Sequence, residues 1–181
     1  MRLLCNSNFS MDNCIFSETV VNLVENNSSK RGKDMGNKYD SLKLENQLCF
    51  PLYACAKEIV KRYKPFLEEI ELTYTQYITM MVLWEHRQMN VKELGNYLYL
   101  DSGTLTPVLK KLEQKGYLTR KRNEKDERVL DVAITNDGEK LKEKAVEIPA
   151  KIGGCVALEP ADAIKLYEIL QKLLGSFKME A

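Results

Sequence analysis

The chemistry open to this chain is narrowed first by its cysteines and its histidine. The cysteines are Cys5, Cys14, Cys49, Cys55 and Cys155, an odd number at wide spacings with no C-x-x-C pair. That pattern indicates neither a disulfide framework nor a zinc site. His86 is the only histidine, so a His-rich metal centre or a Ser-His-Asp triad lacks its parts. No metal and no cofactor is expected, and His86 is read as capping or flanking a helix end. Reduced thiols are the default, which fits a cytoplasmic protein. Cys49 stands out by its context, "LENQLCFPLYACAKE" (residues 44–58), where a proline follows it two positions later. A thiol there is either a small hydrophobe in a core or a nucleophile that works as its thiolate.

The elements that must position such a residue come from composition and periodicity. The chain has 181 residues, 44% hydrophobic and 29% charged, with a formal net charge of +1. Length suggests one domain with extensions, and global charge says nothing about nucleic acid. No run approaches the roughly 18 apolar residues of a membrane span, and "MRLLC" lacks the apolar core of a secretion signal. Residues 1–34 are rich in Asn and Ser, with no sustained period. They are expected to be poorly ordered, or to be a misplaced start. "KRGKD" before Met35 could be encoded by a purine run resembling a ribosome-binding site. The functional unit is therefore expected over residues 35–181.

From Leu44, apolar residues recur through Leu48, Leu52, Ala56, Ile59, Tyr63, Phe66 and Ile70. Steps of three and four predict a helix with one buried stripe. "TYTQYITMMVLWEH" (73–86) is apolar almost all round and predicts a central helix capped by Thr73 or Thr75; Trp84 and Met80-Met81 are core or the wall of an apolar pocket. Asn90 opens a short helix to residue 101. After a brief turn, "DSGTLTPVLKKLEQKG" (101–116) gives a second, with Ser102 as cap, Gly116 as stop and Pro107 within the first turn or so. Its buried face is Leu105, Val108, Leu109 and Leu112. "YLTRKRN" (117–123) and "RVLDVAIT" (128–135) predict two strands around the turn "EKDE", the second with Leu130, Val132 and Ile134 on one face. Thr135 to Asp137 can cap "NDGEKLKEKAVEIP". The last helix carries Leu166, Leu170, Leu173 and Phe177, a seam fit for another helix or another chain.

Helix, tight turn, helix and hairpin is the order of a winged helix-turn-helix, whose second helix enters the DNA major groove. The fold class is therefore mainly α with a small β-hairpin wing. Local charge agrees: residues 110–125 hold seven bases against two acids, a net of +5. Ser102, Thr104 and Thr106 offer hydroxyls to phosphates or base edges, and the helix start favours phosphate. Lys110, Arg120 and Arg122 join them, and Arg128 at the wing tip can reach the minor groove. The bland alternative is a solvated basic helix beside a hairpin; the coincidence of charge with this element order favours DNA.

"LYLDSGTLTPVLKKLEQKGYLTRKRNEKDERVLDVAITNDG" closely resembles the MarR family of dimeric bacterial repressors. The wing pattern Asp126-x-Arg128 followed by "ITNDG" is specific for it. With "KLENQLCFPLYACAKEIVKRYKPFLEEIELTYTQY" it resembles the organic-hydroperoxide-sensing branch, OhrR, over about residues 37–177. The resemblance implies dimerisation through the N- and C-terminal helices, and that Cys49, in its "NQLCF" context, is a redox-sensing thiol. It implies that Tyr53, Tyr63 and Tyr74 hydrogen-bond its thiolate, some across the dimer. Attack on the peroxide O–O bond would give a sulfenic acid, and Phe50, Leu52 and Trp84 suit an organic hydroperoxide. Some members trap that acid with a low-molecular-weight thiol. Others use a resolving cysteine of the partner subunit, and Cys155 falls at that place. Cys55 is read as packing, and Cys5 and Cys14 as incidental.

The expected function is a homodimeric DNA-binding repressor, not an enzyme, that senses organic hydroperoxides through Cys49 and then releases a pseudo-palindromic operator. Two rivals are a MarR-type repressor released by a small aromatic ligand and a thiol peroxidase. Pro51 raises a local question. It either kinks the first helix or starts it, and in the second case Cys49 lies just before a positive helix end.

Overall fold

The computed structural model describes residues 38–178. The expectations for residues 1–34, for a start at Met35, and for Cys5 and Cys14 lie outside the described residues. Two compact units divide between Glu58 and Ile59.

The described part of the first unit opens with two 3-10 turns, Asp40–Leu42 and Leu44–Asn46. Helix α1 follows at Cys49–Glu68 and continues past the division. Side-chain amides hold the turns: Asn46 donates to the Asp40 carbonyl at 2.8 Å, and Gln47 donates to those of Ser41 and Lys43. The expected helix from Leu44 is thereby corrected. Residues 44–48 are spent on turns, and the helix begins at Cys49. Pro51 is its third residue, where the missing N–H belongs to the turn that has no intrahelical partner anyway. Pro51 therefore neither kinks the helix nor starts it. Cys55, expected to pack, is exposed.

The second unit is built on helix α2, Tyr74–His86. A reciprocal capping box starts it, Thr73 with Gln76, a device that stabilises a helix by about 1 kcal/mol. Tyr77, Met80, Leu83 and Trp84 are buried, which fits the central position expected of it; Met81, expected beside Met80 in the core or a pocket wall, is corrected, since it faces out. Strand β1 is Gln88–Asn90, and α3 is Val91–Leu98 with the capping box Asn90/Glu93. Tyr99 takes φ 53° to end it.

Helix α4 runs Ser102–Gln114. Its cap is Asp101, which accepts the Thr104 N–H at 2.8 Å, so the expected Ser102 cap is corrected: Ser102 is already the first helical residue. Pro107 is the sixth, beyond the first turn, and leaves the Gly103 carbonyl without its usual donor. Leu105, Leu109 and Leu112 are almost fully buried, as the period required, with Val108 partly so. Gly116, at φ 76°, makes the expected stop.

Strands β2 (Leu118–Arg122) and β3 (Leu130–Ile134) pair antiparallel with Arg120 opposite Val132. They form a three-stranded sheet of order β1-β3-β2. The hairpin was expected; β1 was not. Of the expected apolar face, Val132 is fully buried while Leu130 and Ile134 are partly so.

Thr135 caps α5, Asn136–Ala145. The expected single helix to Pro149 is corrected: it breaks before α6, Ile148–Gly153, where Pro149 stands in the first turn. Gly138 locks α5 to the sheet. A Cβ there would lie 2.1 Å from the Tyr117 carbonyl oxygen, and its own carbonyl accepts the Trp84 indole N–H at 2.8 Å. Helix α7 is Pro160–Lys178. Ile164, Tyr167 and Phe177 on it are exposed, and Leu170 and Leu173 are half-buried. Among the described residues, no helix is long and apolar enough to cross a membrane.

Candidate functional site

The second unit presents a winged helix-turn-helix with α4 as its second helix. Ser102, Thr104 and Lys110 are exposed and Thr106 half-buried. Two hydroxyls are already engaged: Thr104 donates to Asp101 at 3.0 Å and Thr106 to the Ser102 carbonyl at 2.6 Å. Their oxygens can still accept from a base-edge donor, while the helix start itself is taken by the Asp101 carboxylate. Asp101 is held below the usual carboxylate range by the Thr104 backbone N–H and then by its hydroxyl.

The wing has its own internal bracing. Arg122 donates to the Glu127 carbonyl at 2.7 Å. Asn123 accepts the Lys125 N–H at 2.9 Å and donates to Asp131 at 2.7 Å. Asp126 accepts the Arg128 backbone N–H at 3.0 Å and its guanidinium at 3.1 and 3.3 Å. These bonds, the guanidinium's foremost, hold Asp126 below the usual range. The Asp-x-Arg pattern thus has a physical reason: Asp126 orients Arg128, whose side chain is 91% exposed at the tip.

Arg120 is held within the protein by an acidic partner. Its guanidinium is engaged with Glu113 on α4, at 2.6 Å from Nη2 and 3.0 Å from Nε, and its side chain is only 19% exposed. The opposite-charge pair seven residues apart across a glycine turn was the signal in the sequence; it was read there as separate charges. Lys115 likewise reaches back to the Glu71 carbonyl.

Cys49 is exposed on the first turn of α1, and Tyr53 lies one turn later, also exposed. Lys57 stands over the Tyr53 ring at 5.9 Å. In the other unit, Tyr63 and Tyr74 meet edge-on with ring centroids 5.0 Å apart. Tyr77, which the sequence reading did not single out, lies 6.0 Å from Tyr63 and 6.2 Å from Trp84. It was legible as the residue one turn beyond Tyr74. Burial pushes all three phenols up, with neighbouring phenolates adding for Tyr63 and Tyr77. At neutral pH they are therefore O–H donors. Cys155 is exposed after α6, its thiol donating to the Lys151 carbonyl at 3.3 Å. His86 closes α2, as expected, against the Tyr97 ring at 4.9 Å. No cluster of three or more metal-binding side chains occurs among the described residues.

A three-stranded sheet with a hairpin wing, a capped second helix with an exposed start, and an Arg128 held out at the wing tip are the parts of a winged-helix transcriptional regulator. Comparison with known proteins makes this specific. Residues 61–145 match the transcriptional regulator SarA/Rot family. The chain is 52% identical over 140 residues to the organic hydroperoxide resistance transcriptional regulator of Bacillus subtilis, spanning 77% of this chain and 95% of that one. It is 46% identical to the HTH-type transcriptional regulator SarZ of Staphylococcus saprophyticus, over 73% and 90% of the two chains. Among solved structures it resembles AbfR of Staphylococcus epidermidis. The reduced form bound to DNA gives a TM-score of 0.66 at 31% identity, covering 79% of this chain and 98% of that one. AbfR is also solved overoxidised on DNA (TM-score 0.63, 33% identity, 78% and 99%) and with a disulfide formed (0.53, 34%, 76% and 96%). The chain belongs to the MarR family of transcriptional regulators, in its organic-hydroperoxide branch.

Proposed function

We propose that the protein is a homodimeric repressor that binds a pseudo-palindromic operator in the cytoplasm and releases it when an organic hydroperoxide oxidises Cys49. The observation that carries this reading is an exposed cysteine on the first turn of α1, in a chain 52% identical to an organic hydroperoxide resistance regulator. Ser102, Thr104, Thr106 and Lys110 would face the major groove, with Arg122 and Arg128 on the wing. The apolar seam of α7 supports dimerisation, since Leu166 and Phe177 are exposed and Leu170 and Leu173 only half-buried along one face that suits burial against a second copy.

In the chemical step the Cys49 thiolate attacks the terminal peroxide oxygen. An S–O bond forms, the O–O bond breaks and the alcohol leaves after taking a proton. Tyr53, Tyr63 and Tyr74 are proposed as donors to the thiolate. Cys155 is proposed as the thiol that then attacks the sulfenic acid of the partner subunit, forming an S–S bond and releasing water. That AbfR has been solved overoxidised on DNA and, separately, with a disulfide formed favours this two-cysteine route over release by an oxidised sulfur alone. A low-molecular-weight thiol would otherwise take the place of Cys155.

The test uses a duplex that the wild-type protein selects from a random-sequence pool. Cumene hydroperoxide is expected to release it from the wild type, whereas Cys49→Ser binds it equally well and keeps it. Release of Cys49→Ser at the wild-type dose would refute the sensing role and leave the aromatic-ligand reading. Multiple turnovers with a thiol reductant, without specific retention of DNA at about 150 mM salt, would favour a peroxidase.

A further inference from the structure

Arg120 and Glu113 make a contact that the regulator reading does not use. Three bonds converge on the Glu113 carboxylate. Oε1 accepts the Arg120 backbone N–H at 3.1 Å, and Oε2 accepts Nε at 3.0 Å and Nη2 at 2.6 Å. β2 is an edge strand, so its outward N–H groups lack a strand partner. Glu113 supplies one from the recognition helix. The connection between α4 and β2 is short, Lys115 to Tyr117, and turns on Gly116. A backbone hinge with a left-handed glycine does not by itself fix the direction of the strand that leaves it. The carboxylate does, because one of its oxygens takes the backbone N–H of residue 120 while the other takes both Nε and Nη2 of the same residue's side chain.

From that grip the bracing continues to the tip. Arg122, two residues along β2, donates to the Glu127 carbonyl, and the adjoining Asp126 orients Arg128. We infer that Glu113 and Arg120 form a clamp that sets the wing on the recognition helix. Arg120 then serves DNA binding as a positioning residue, by placing Arg128, and not by touching a phosphate. The inference rests on the DNA-binding reading above.

The experiment uses the full chain and the duplex selected by the wild type. It measures affinity together with two footprints. Hydroxyl-radical protection reports the minor groove at the wing, and guanine N7 methylation reports the major groove at α4. Glu113→Gln, which keeps volume and one oxygen, and Arg120→Lys, which keeps charge but loses the fork, are expected to weaken binding about tenfold. Both lose minor-groove protection and keep major-groove protection, with melting temperatures close to wild type. The charge-swapped protein, Glu113→Arg with Arg120→Glu, re-forms the side-chain pair but not the bond to the backbone N–H of residue 120, so it restores part of the minor-groove protection and binds about threefold better than Glu113→Gln.

A swapped protein that binds worse than Glu113→Gln would overturn the clamp, since an acid at position 120 harms a direct phosphate contact most. So would a Glu113→Gln protein with wild-type affinity and footprint. Uniform loss of both protections with a lowered melting temperature would reduce the pair to a folding contact, which also overturns it. If the wild type selects no duplex, the DNA-binding reading itself fails, and that result is distinct from all the others.

Discussion

Asp126 and Arg128 show how one residue makes another useful. Arg128 is almost fully exposed, and a free guanidinium would lose considerable side-chain entropy on entering a groove. Asp126 already holds it by backbone and side chain. The sign of the pH effect follows. A carboxyl held below its unfolded value contributes order that is present above the ordinary range and is lost as pH falls through the lowered value. The Arg128 Nε–H resonance should therefore titrate with a midpoint below that of an ordinary aspartate. A midpoint at or above the ordinary aspartate value would contradict the pairing. Glu113, lowered chiefly by the Arg120 side chain, and Asp101, lowered by Thr104, follow the same sign. Arg128 was legible in the sequence because the wing tip is a local feature. The pairing of Arg120 with Glu113 was not, because a charge count treats the two as independent, and only the turn at Gly116 brings them together.

Among the elements, α2 and α3 were readable from period and caps, since those signals lie within a few residues of each other, and α4 from its period, with the cap one residue earlier than expected. Thr73, Asn90 and Thr135 cap where their positions suggested. Strand β1 was not readable. Three residues carry no period, and Gln88–Asn90 is extended because Ala133 to Asp131 pairs with it from far along the chain. The start of α1 escaped for a related reason: Leu44 and Leu48 continue the helical period, but Asn46 and Gln47 divert the backbone into 3-10 turns. The junction of α5 with the sheet gives a sharp test. Gly138→Ala must push the Tyr117 carbonyl aside and disturb the Trp84 hydrogen bond. It is expected to destabilise the fold by about 2–3 kcal/mol, read by urea unfolding. Trp84 is the only tryptophan, so its fluorescence reports the site directly. Wild-type stability in this variant would show that the contact gives way freely.

At the scale of the whole molecule, the proposed sensing residues fall in both parts of the chain. Cys49 and Tyr53 belong to one compact unit; Tyr63, Tyr74 and the winged helix belong to the other. In the proposed dimer some of these tyrosines serve the partner's thiolate, and the sequence could reach that only through family resemblance. No periodicity in one chain specifies what a second copy contributes. The coupling of thiol oxidation to DNA release is best tested by titrating one DNA-bound sample with cumene hydroperoxide in substoichiometric steps. Fluorescence anisotropy gives the fraction bound, and non-reducing intact mass gives the state of Cys49. Loss of DNA should rise in proportion to Cys49 oxidation, accompanied by a covalent dimer that Cys155→Ala abolishes. DNA released while Cys49 stays reduced, or retained after Cys49 has fully joined a disulfide, would contradict the account.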